Sequence, residues 1–301
     1  MKWSSLSLFK LKKRAWTIYK KMNISNAINI ACKTLKKKFI NSAQLDSELL
    51  MSKVLDKDRK YIILNSDKTL EPGLYSRFKE LIKQRSEGKP IAYLIEKKDF
   101  WKYQFIIKED ILIPRPDTEI IIEEVLNVTK FKSKLKILDV GVGSGCILLS
   151  ILKEKKDFFG VGIDICKKCT EITKLNAQNL GVADRIKTFK SDVDNFNYGK
   201  YDLIISNPPY INKLDLKYLD RDVINFEPIL ALDGGLDGIS EIRKVINKSS
   251  ELIKKNGKLI LEIAFDQKEK TKKLLINKGF YINRTLKDYA GNDRCIVSIK
   301  K

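Results

Sequence analysis

From residue 135 to the end, the chain alternates short apolar runs with amphipathic stretches. No other feature restricts the fold as much. Residues 135–140, 158–163, 186–189, 201–205, 257–263 and 294–299 read as strands, with a shorter one at 280–282. Helical patterns fall between them at 146–153, 167–180, 239–253 and 267–278. Continuous apolar runs mark strands buried on both faces, and parallel neighbours need a crossover helix between them. This order predicts an α/β fold, a doubly wound, mostly parallel seven-stranded sheet. The last two strands have no helix between them, so one of that pair should run antiparallel.

Open α/β sheets bind ligands beyond the carboxyl ends of their strands. The residues found at those ends are therefore the candidates for chemistry. After the first strand comes Asp139-Val140-Gly141-Val142-Gly143-Ser144-Gly145, which opens a helix. Glycines at alternate positions take positive φ and let a ligand approach the backbone. The GxGxG spacing differs from the dinucleotide GxGxxG and suits a smaller zwitterionic ligand better than a pyrophosphate. Asp164 ends the second strand, where an acid can accept from two ribose hydroxyls. Ser191-Asp192-Val193 ends the third: Asp192 can accept from an adenine amino group, and Val193 can pack on the ring.

The fourth strand ends in Ser206-Asn207-Pro208-Pro209-Tyr210. Two prolines remove two N–H donors and hold φ near about −65°. The Asn207 side-chain oxygen and the Pro208 carbonyl can then face one point as acceptors, with Tyr210 covering it. Such a cradle holds the two hydrogens of a planar NH2 group while its nitrogen is aimed elsewhere. A rigid turn closing a strand would use the same residues. The glycine turn, the two acids and this motif, at the ends of four successive strands, jointly read as an S-adenosylmethionine (SAM) site beside an acceptor cradle. Gly141, Val142, Gly143, Ser144, Gly145, Asp164, Asp192, Val193 and Asn207 are the expected cofactor residues.

The earlier part of the chain reads differently. Residues 22–90 carry helical patterns, with Ser25, Ser42 and Pro72 as helix-start signals and Gly88-Lys89-Pro90 as a stop. They are expected to form a small helical domain that docks the substrate. Residues 91–118 should hold a β-hairpin linker, with Tyr93, Phe100, Trp101, Tyr103 and Phe105 along it. It ends in Pro114-Arg115-Pro116-Asp117-Thr118-Glu119. There Asp117 or Thr118 can cap a helix over 120–128, and Arg115, held between prolines, is a pre-aimed cation for substrate. Residues 119–301 make the catalytic domain. Residues 1–21 are basic without an acid, and read as a targeting presequence or, more simply, as an over-long start ahead of Met22.

The chain contains no histidine, which excludes His-dependent triads and a His general base. Cys166-Lys167-Lys168-Cys169 is a single CxxC, expected to be a reduced pair at a helix start; no metal site is expected. A formal charge of +21 fits an acidic partner or nucleic acid, or a lysine-rich proteome in general. No apolar run reaches the ~18 residues of a membrane span.

On these motifs the chain resembles the class I, Rossmann-like SAM-dependent methyltransferases, and within them the release-factor glutamine methyltransferase family. The narrower marks are the helical module, Leu112-Ile113-Pro114-Arg115-Pro116-Asp117-Thr118-Glu119, Asn207-Pro208-Pro209-Tyr210, Phe226-Glu227-Pro228 and the segment from Asp288 to Arg294. The extension before Met22 and Ala264-Phe265-Asp266-Gln267, where a glycine is more usual, depart from the pattern. The resemblance implies methyl transfer to the side-chain amide of the glutamine in the Gly-Gly-Gln motif of peptide release factors. Asn207, Pro208 and Tyr210 would be catalytic, with Pro209 and Arg115 also touching substrate. It further implies a monomer of the cytoplasm, or of an organelle if residues 1–21 are a presequence, with no stable nucleic-acid partner. The main rival is a DNA adenine methyltransferase, which shares the Asn-Pro-Pro-Tyr motif. The charge favours that rival, but the chain shows no second large domain to read sequence. Methylation of another protein or of rRNA, or a SAM-binding module without turnover, are the lesser alternatives.

Overall fold

The computed structural model describes residues 22–301; the expectation for residues 1–21 lies outside them. The chain divides into two compact units, with the boundary between Ile95 and Glu96.

The first unit is all helical: α1 (Ile24–Lys36), α2 (Ala43–Leu55), α3 (Arg59–Leu64), α4 (Pro72–Ser86) and α5 (Ile91–Ile95). Ile24, Ala27, Ile28, Ala31 and Leu35 of α1 recur at helical spacing and are buried against Leu50, Met51, Phe78 and Leu94. Three sequence expectations change here. Asn23, not Ser25, caps α1, accepting from the Asn26 N–H at 2.8 Å, because the helix already begins at Ile24. The helix α3, capped by Asp58, was not foreseen; six residues are too few to show a period. Residues 91–95, expected in a hairpin, form a helix whose Leu94 enters the bundle core.

The second unit opens with the hairpin β1 (Lys97–Phe100) and β2 (Tyr103–Ile106). It is packed onto this unit rather than left as a linker. The Trp101 indole and the Tyr103 hydroxyl both donate to Glu154, at 3.0 and 3.2 Å, and the Trp101 N–H donates to Glu119 at 2.7 Å. Seven strands follow: β3 (Lys136–Val140), β4 (Phe159–Asp164), β5 (Ile186–Lys190), β6 (Tyr201–Ser206), β7 (Ile253–Glu262), β8 (Phe280–Lys287) and β9 (Asp293–Lys300). Their order in the sheet is β5-β4-β3-β6-β7-β9-β8. β3 to β7 run parallel, and β9 lies antiparallel between β7 and β8, as the missing crossover helix requires. The chain winds outward from β3 through β4 and β5, then returns to β6 and winds the other way. The crevice of the sheet therefore lies at the carboxyl ends of β3 and β6.

The helices α6 (Glu119–Val128), α7 (Cys146–Glu154), α8 (Lys167–Asn179), α9 (Arg221–Phe226), α10 (Ser240–Leu252) and α11 (Lys268–Asn277) complete the unit. One face of the sheet buries Leu138, Val161, Ile204, Leu259 and Leu261 against Ile242, Val245 and Ile246 of α10. At the other edge, Arg284 of β8 grips the buried Glu124 of α6 in a fork, with contacts of 2.7, 2.7 and 3.0 Å. Arg284→Ala leaves that carboxylate buried and unpaired. Discounted for the half-exposed arginine, it should cost about 1–3 kcal/mol in chemical denaturation. A further Glu124→Leu change should recover most of the loss.

Candidate functional site

Three glycines shape the turn after β3, with φ of +77° at Gly141, +55° at Gly143 and +82° at Gly145. Their roles differ. A Cβ on Gly145 would sit 2.8 Å from Leu149 Cδ1 and 3.0 Å from Thr173 Cγ2, so the turn must have glycine there to pack on its own helix and on α8. A Cβ on Gly141 would meet nothing within 4 Å, and one on Gly143 only the Gly141 carbonyl, at 4.0 Å. The open cradle lies at these two residues. Val142, Ser144 and Gly145, the other residues expected beside the cofactor, are buried on the underside of the turn. Val142 fills the space left by Gly162, where a Cβ would be 2.8 Å from Val142 Cγ2.

The turn is held from two sides. The Gly141 and Val142 N–H groups both donate to the Ile163 carbonyl at 2.9 Å. From α8, the Thr173 hydroxyl donates to the Gly143 carbonyl at 3.0 Å and Asn176 Nδ2 to the Ser144 carbonyl at 2.9 Å. Asn176 also clamps the end of the hairpin, accepting from the Ile106 N–H and donating to its carbonyl. Its fully used amide joins hairpin, helix and glycine turn, a role that no local motif announces.

Two carboxyls lie under the cradle. Asp164 accepts from the Gly143 N–H and the Cys166 N–H, both at 2.9 Å. Its oxygens are thus aimed by the turn, each with lone-pair capacity left for the ribose hydroxyls expected there. Burial raises its pKa despite these two donors. Asp139, at the end of β3, is 1% exposed, and neither oxygen has a partner in hydrogen-bond geometry among the described residues. Burial, then the nearby Asp164 charge, pushes it up to about 8. An orphaned buried carboxyl below an open glycine cradle fits a ligand that brings a cation or donors, as the ammonium end of SAM does. Asp192 and Val193 end the third side. Asp192 is half-buried and accepts from the Asp194 N–H at 2.9 Å; Val193 packs on the sheet core beside Phe189.

Asn207 to Tyr210 stand at the mouth of β6, one strand from the glycine turn. Asn207 Nδ2 donates to Thr118 Oγ1 at 3.1 Å. Among the described residues no hydrogen bond reaches its side-chain oxygen or the Pro208 carbonyl, so both remain as acceptors. The Tyr210 hydroxyl donates to Glu262 Oε1 at 3.4 Å, and burial, then that charge, raises its pKa. The segment is clamped from behind by Gln267, whose Nε2 donates to the Tyr210 carbonyl at 2.8 Å and the Gly238 carbonyl at 2.9 Å. Pro209 is half-buried beside it.

Two sequence expectations need restating at this point. Thr118 makes no capping hydrogen bond to α6; its hydroxyl receives Asn207 instead. Arg115 is not an unengaged cation: it donates to the Ile113 carbonyl at 3.0 Å and to the buried Glu227 at 2.5 Å. It ties the proline stretch to Phe226-Glu227-Pro228, which also accepts from the Ile113 N–H at 3.3 Å. Glu262, Asn176 and the grip of Gln267 were missed. A glutamate closing the apolar run Leu259-Ile260-Leu261 was the one available signal for the first.

Asp139 and Glu262, the two most strongly raised carboxyls, make stability depend on pH. Both are raised above their unfolded values of 3.8 and 4.5, Asp139 to about 8 and Glu262 to about 7. Their protonated forms therefore favour folding below the unfolded values, and that contribution is lost as pH rises through 7 and 8. The ligand-free protein should melt at lower temperature at pH 8 than at pH 6, and Asp139→Asn should flatten that difference.

Known proteins resemble this chain over most of its length. Residues 26–95 match the PrmC N-terminal domain, and residues 117–226 match the methyltransferase small domain. The release factor glutamine methyltransferase of Clostridium acetobutylicum is 36% identical over 282 residues, covering 93% of this chain and 99% of its own. Those of Clostridium botulinum and of Buchnera aphidicola subsp. Baizongia pistaciae are 38% and 36% identical, over 88% and 93% of this chain. Among solved structures, a ribosomal protein L11 methylase from Lactobacillus delbrueckii aligns with a TM-score of 0.49 at 19% identity, over 68% of this chain and 90% of that one. With relatives this similar along nearly its whole length, the chain belongs to the release factor glutamine methyltransferase family.

Proposed function

We propose that this protein methylates the side-chain amide of the glutamine in the Gly-Gly-Gln motif of peptide release factors, with SAM as methyl donor. The observation that carries the reading is the pair of unengaged acceptors at Asn207 and Pro208, one strand away from an open glycine cradle. Gly141, Gly143, Asp139, Asp164, Asp192 and Val193 would hold the donor, and when bound it supplies an electrophilic methyl on a sulfonium. An amide nitrogen is a poor nucleophile because its lone pair is delocalised. Asn207 Oδ1 and the Pro208 carbonyl accept its two hydrogens and stabilise positive charge as it develops on nitrogen. Tyr210, held by Glu262 and Gln267, packs against the amide plane and fixes its tilt. Alignment and preorganised acceptors carry the rate, and the methylated nitrogen, made acidic by its positive charge, gives one of its two protons to water, so no strong base is needed. That agrees with a chain that has no histidine.

The helical unit over Met22–Ile95 is read as the module that docks the release factor, and the basic surface as complementary to an acidic partner. The protein would act in the cytoplasm as a monomer, where its substrate works; among the described residues no helix is long and apolar enough to cross a membrane. The DNA adenine reading is not favoured: the relatives reported are named for release factors.

Intact-peptide mass spectrometry of a release factor incubated with the protein and SAM tests the reading, with duplex DNA as a parallel acceptor. One added methyl on the Gly-Gly-Gln glutamine is expected; methyl on adenine instead would overturn it. Asn207→Ala should lower kcat by about 10²–10³, as for the loss of one preorganised charge-stabilising group, and any accompanying loss of SAM affinity measures how far Asn207 also serves the cofactor. If charge steers the encounter, kcat/KM for an intact release factor should fall steeply with added salt, while that for a short Gly-Gly-Gln peptide should not.

A further inference from the structure

The acceptor cradle works only if the Asn207 carboxamide presents its oxygen to the substrate. Turned by half a rotation it would offer two N–H donors to an amide group that also carries two. The two orientations have nearly the same shape, so the fold must choose between them by hydrogen bonding. Asn207 faces Thr118, 3.1 Å away, and a hydroxyl alone does not choose, since it can accept from NH2 or donate to C=O.

Glu262 removes that ambiguity. It is 2% exposed, and its Oε2 is buried without a donor in hydrogen-bond geometry. Its Oε1 takes the Tyr210 hydroxyl at 3.4 Å, a long contact. After burial, the Thr118 hydroxyl has the largest influence on this carboxyl, and it favours the ionised form. A buried carboxylate short of donors draws the Thr118 proton to itself. Only lone pairs are then left on Thr118 Oγ1, and Asn207 can meet them only with its NH2. We propose that Glu262, acting through Thr118, is the positioning residue that sets the Asn207 carboxamide oxygen-outward, toward the substrate amide. This inference rests on the glutamine-amide reading above.

The groups facing Glu262 come from several elements. Arg294 of β9 favours its charge, and so does the Tyr210 hydroxyl; Asp117 opposes it. Cys295, its partner across the β7–β9 pair, and Cys146 at the start of α7 both feel its charge. The balance leaves Glu262 raised to about 7. Once protonated, it no longer demands the Thr118 proton, and the choice of orientation is lost. Turnover should therefore climb with pH through about 7, as Glu262 ionises.

The experiment measures methyl transfer to an intact release factor from about pH 5.5 to about pH 9 by mass spectrometry, for wild type, Thr118→Ser, Thr118→Val and Glu262→Gln. Calorimetric SAM binding reports whether each variant is folded. Thr118→Ser, which keeps the hydroxyl, should stay within about threefold of wild type, while Thr118→Val should lose about tenfold or more in kcat with KM for SAM unchanged. Glu262→Gln should turn over slowly, with a profile flat through the region where wild type climbs. Thr118→Val at wild-type kcat, or Glu262→Gln keeping the climb, would overturn the inference while leaving the substrate assignment intact. Wild-type protein inactive on the release factor would overturn the assignment, and this inference with it. Should Thr118→Val fail to bind SAM, the Glu262→Gln profile and the Thr118→Ser rate decide the matter alone.

Discussion

The parallel pairing of β3 with β6 is the constraint on which the site depends. Val140 sits opposite Ser206, and the Ser206 hydroxyl donates to the Val140 carbonyl at 2.7 Å in a fully buried position. At this seam the winding reverses, so the loops that leave the two strands separate and a crevice opens between them. One loop is the glycine turn; the other is Asn207-Pro208-Pro209-Tyr210. A slip of one residue in that register would turn the whole apolar set of β6 from one face of the sheet to the other. The site is thus specified as firmly as the core beneath it.

Around that seam the protein holds carboxyls in places where water cannot reach them. Asp139 and Glu262 are each all but fully buried, and each has at least one oxygen without a hydrogen-bond partner. Such groups oppose folding in their charged form, and a core built for stability alone would replace them with apolar residues. On the proposed reading both sit where a ligand or a catalytic amide is oriented, Asp139 under the glycine cradle and Glu262 against Tyr210. The chain tolerates them because its other buried acids are matched. Arg284 forks onto Glu124, and Arg115 pairs with Glu227, Arg294 with Asp288 at 2.9 Å and, in the helical unit, Arg85 with Asp46 at 2.7 Å.

The strand–helix order of the second unit was legible because buried parallel strands are continuous apolar runs. Residues 201–205 and 158–163 needed no context to be recognised, and the structure extends or shifts these two by one residue, whereas β7 begins at Ile253, before the run expected from residue 257, and β8 continues to Lys287, past the expected end at residue 282. Where the signal is short, it failed. α3 has six residues and α5 five, less than two turns each, so neither carries a readable period. The aromatic alternation that suggested a hairpin from residue 91 begins in truth at Lys97. Tyr93 and Leu94 are buried by bundle packing, which local pattern does not encode. Capping was also misread: a serine or threonine before a helix is only a candidate, and Thr118 is taken by a partner 89 positions along the chain.

The sequence by itself determined the order of elements, the glycine positions that allow a tight turn, and the two prolines that leave carbonyls unpaired. Each of these acts through neighbouring residues, by sterics or by the loss of a donor, and so can be read locally. Tertiary structure alone decided which face of the site each group serves. It turned Val142 and Ser144 inward, engaged Arg115 with Glu227, brought Thr118 to Asn207 and set Tyr210 against Glu262. Hydrogen bonds between residues far apart in sequence have no local signature. They exist only once the sheet has closed and excluded the water that would otherwise satisfy the same groups.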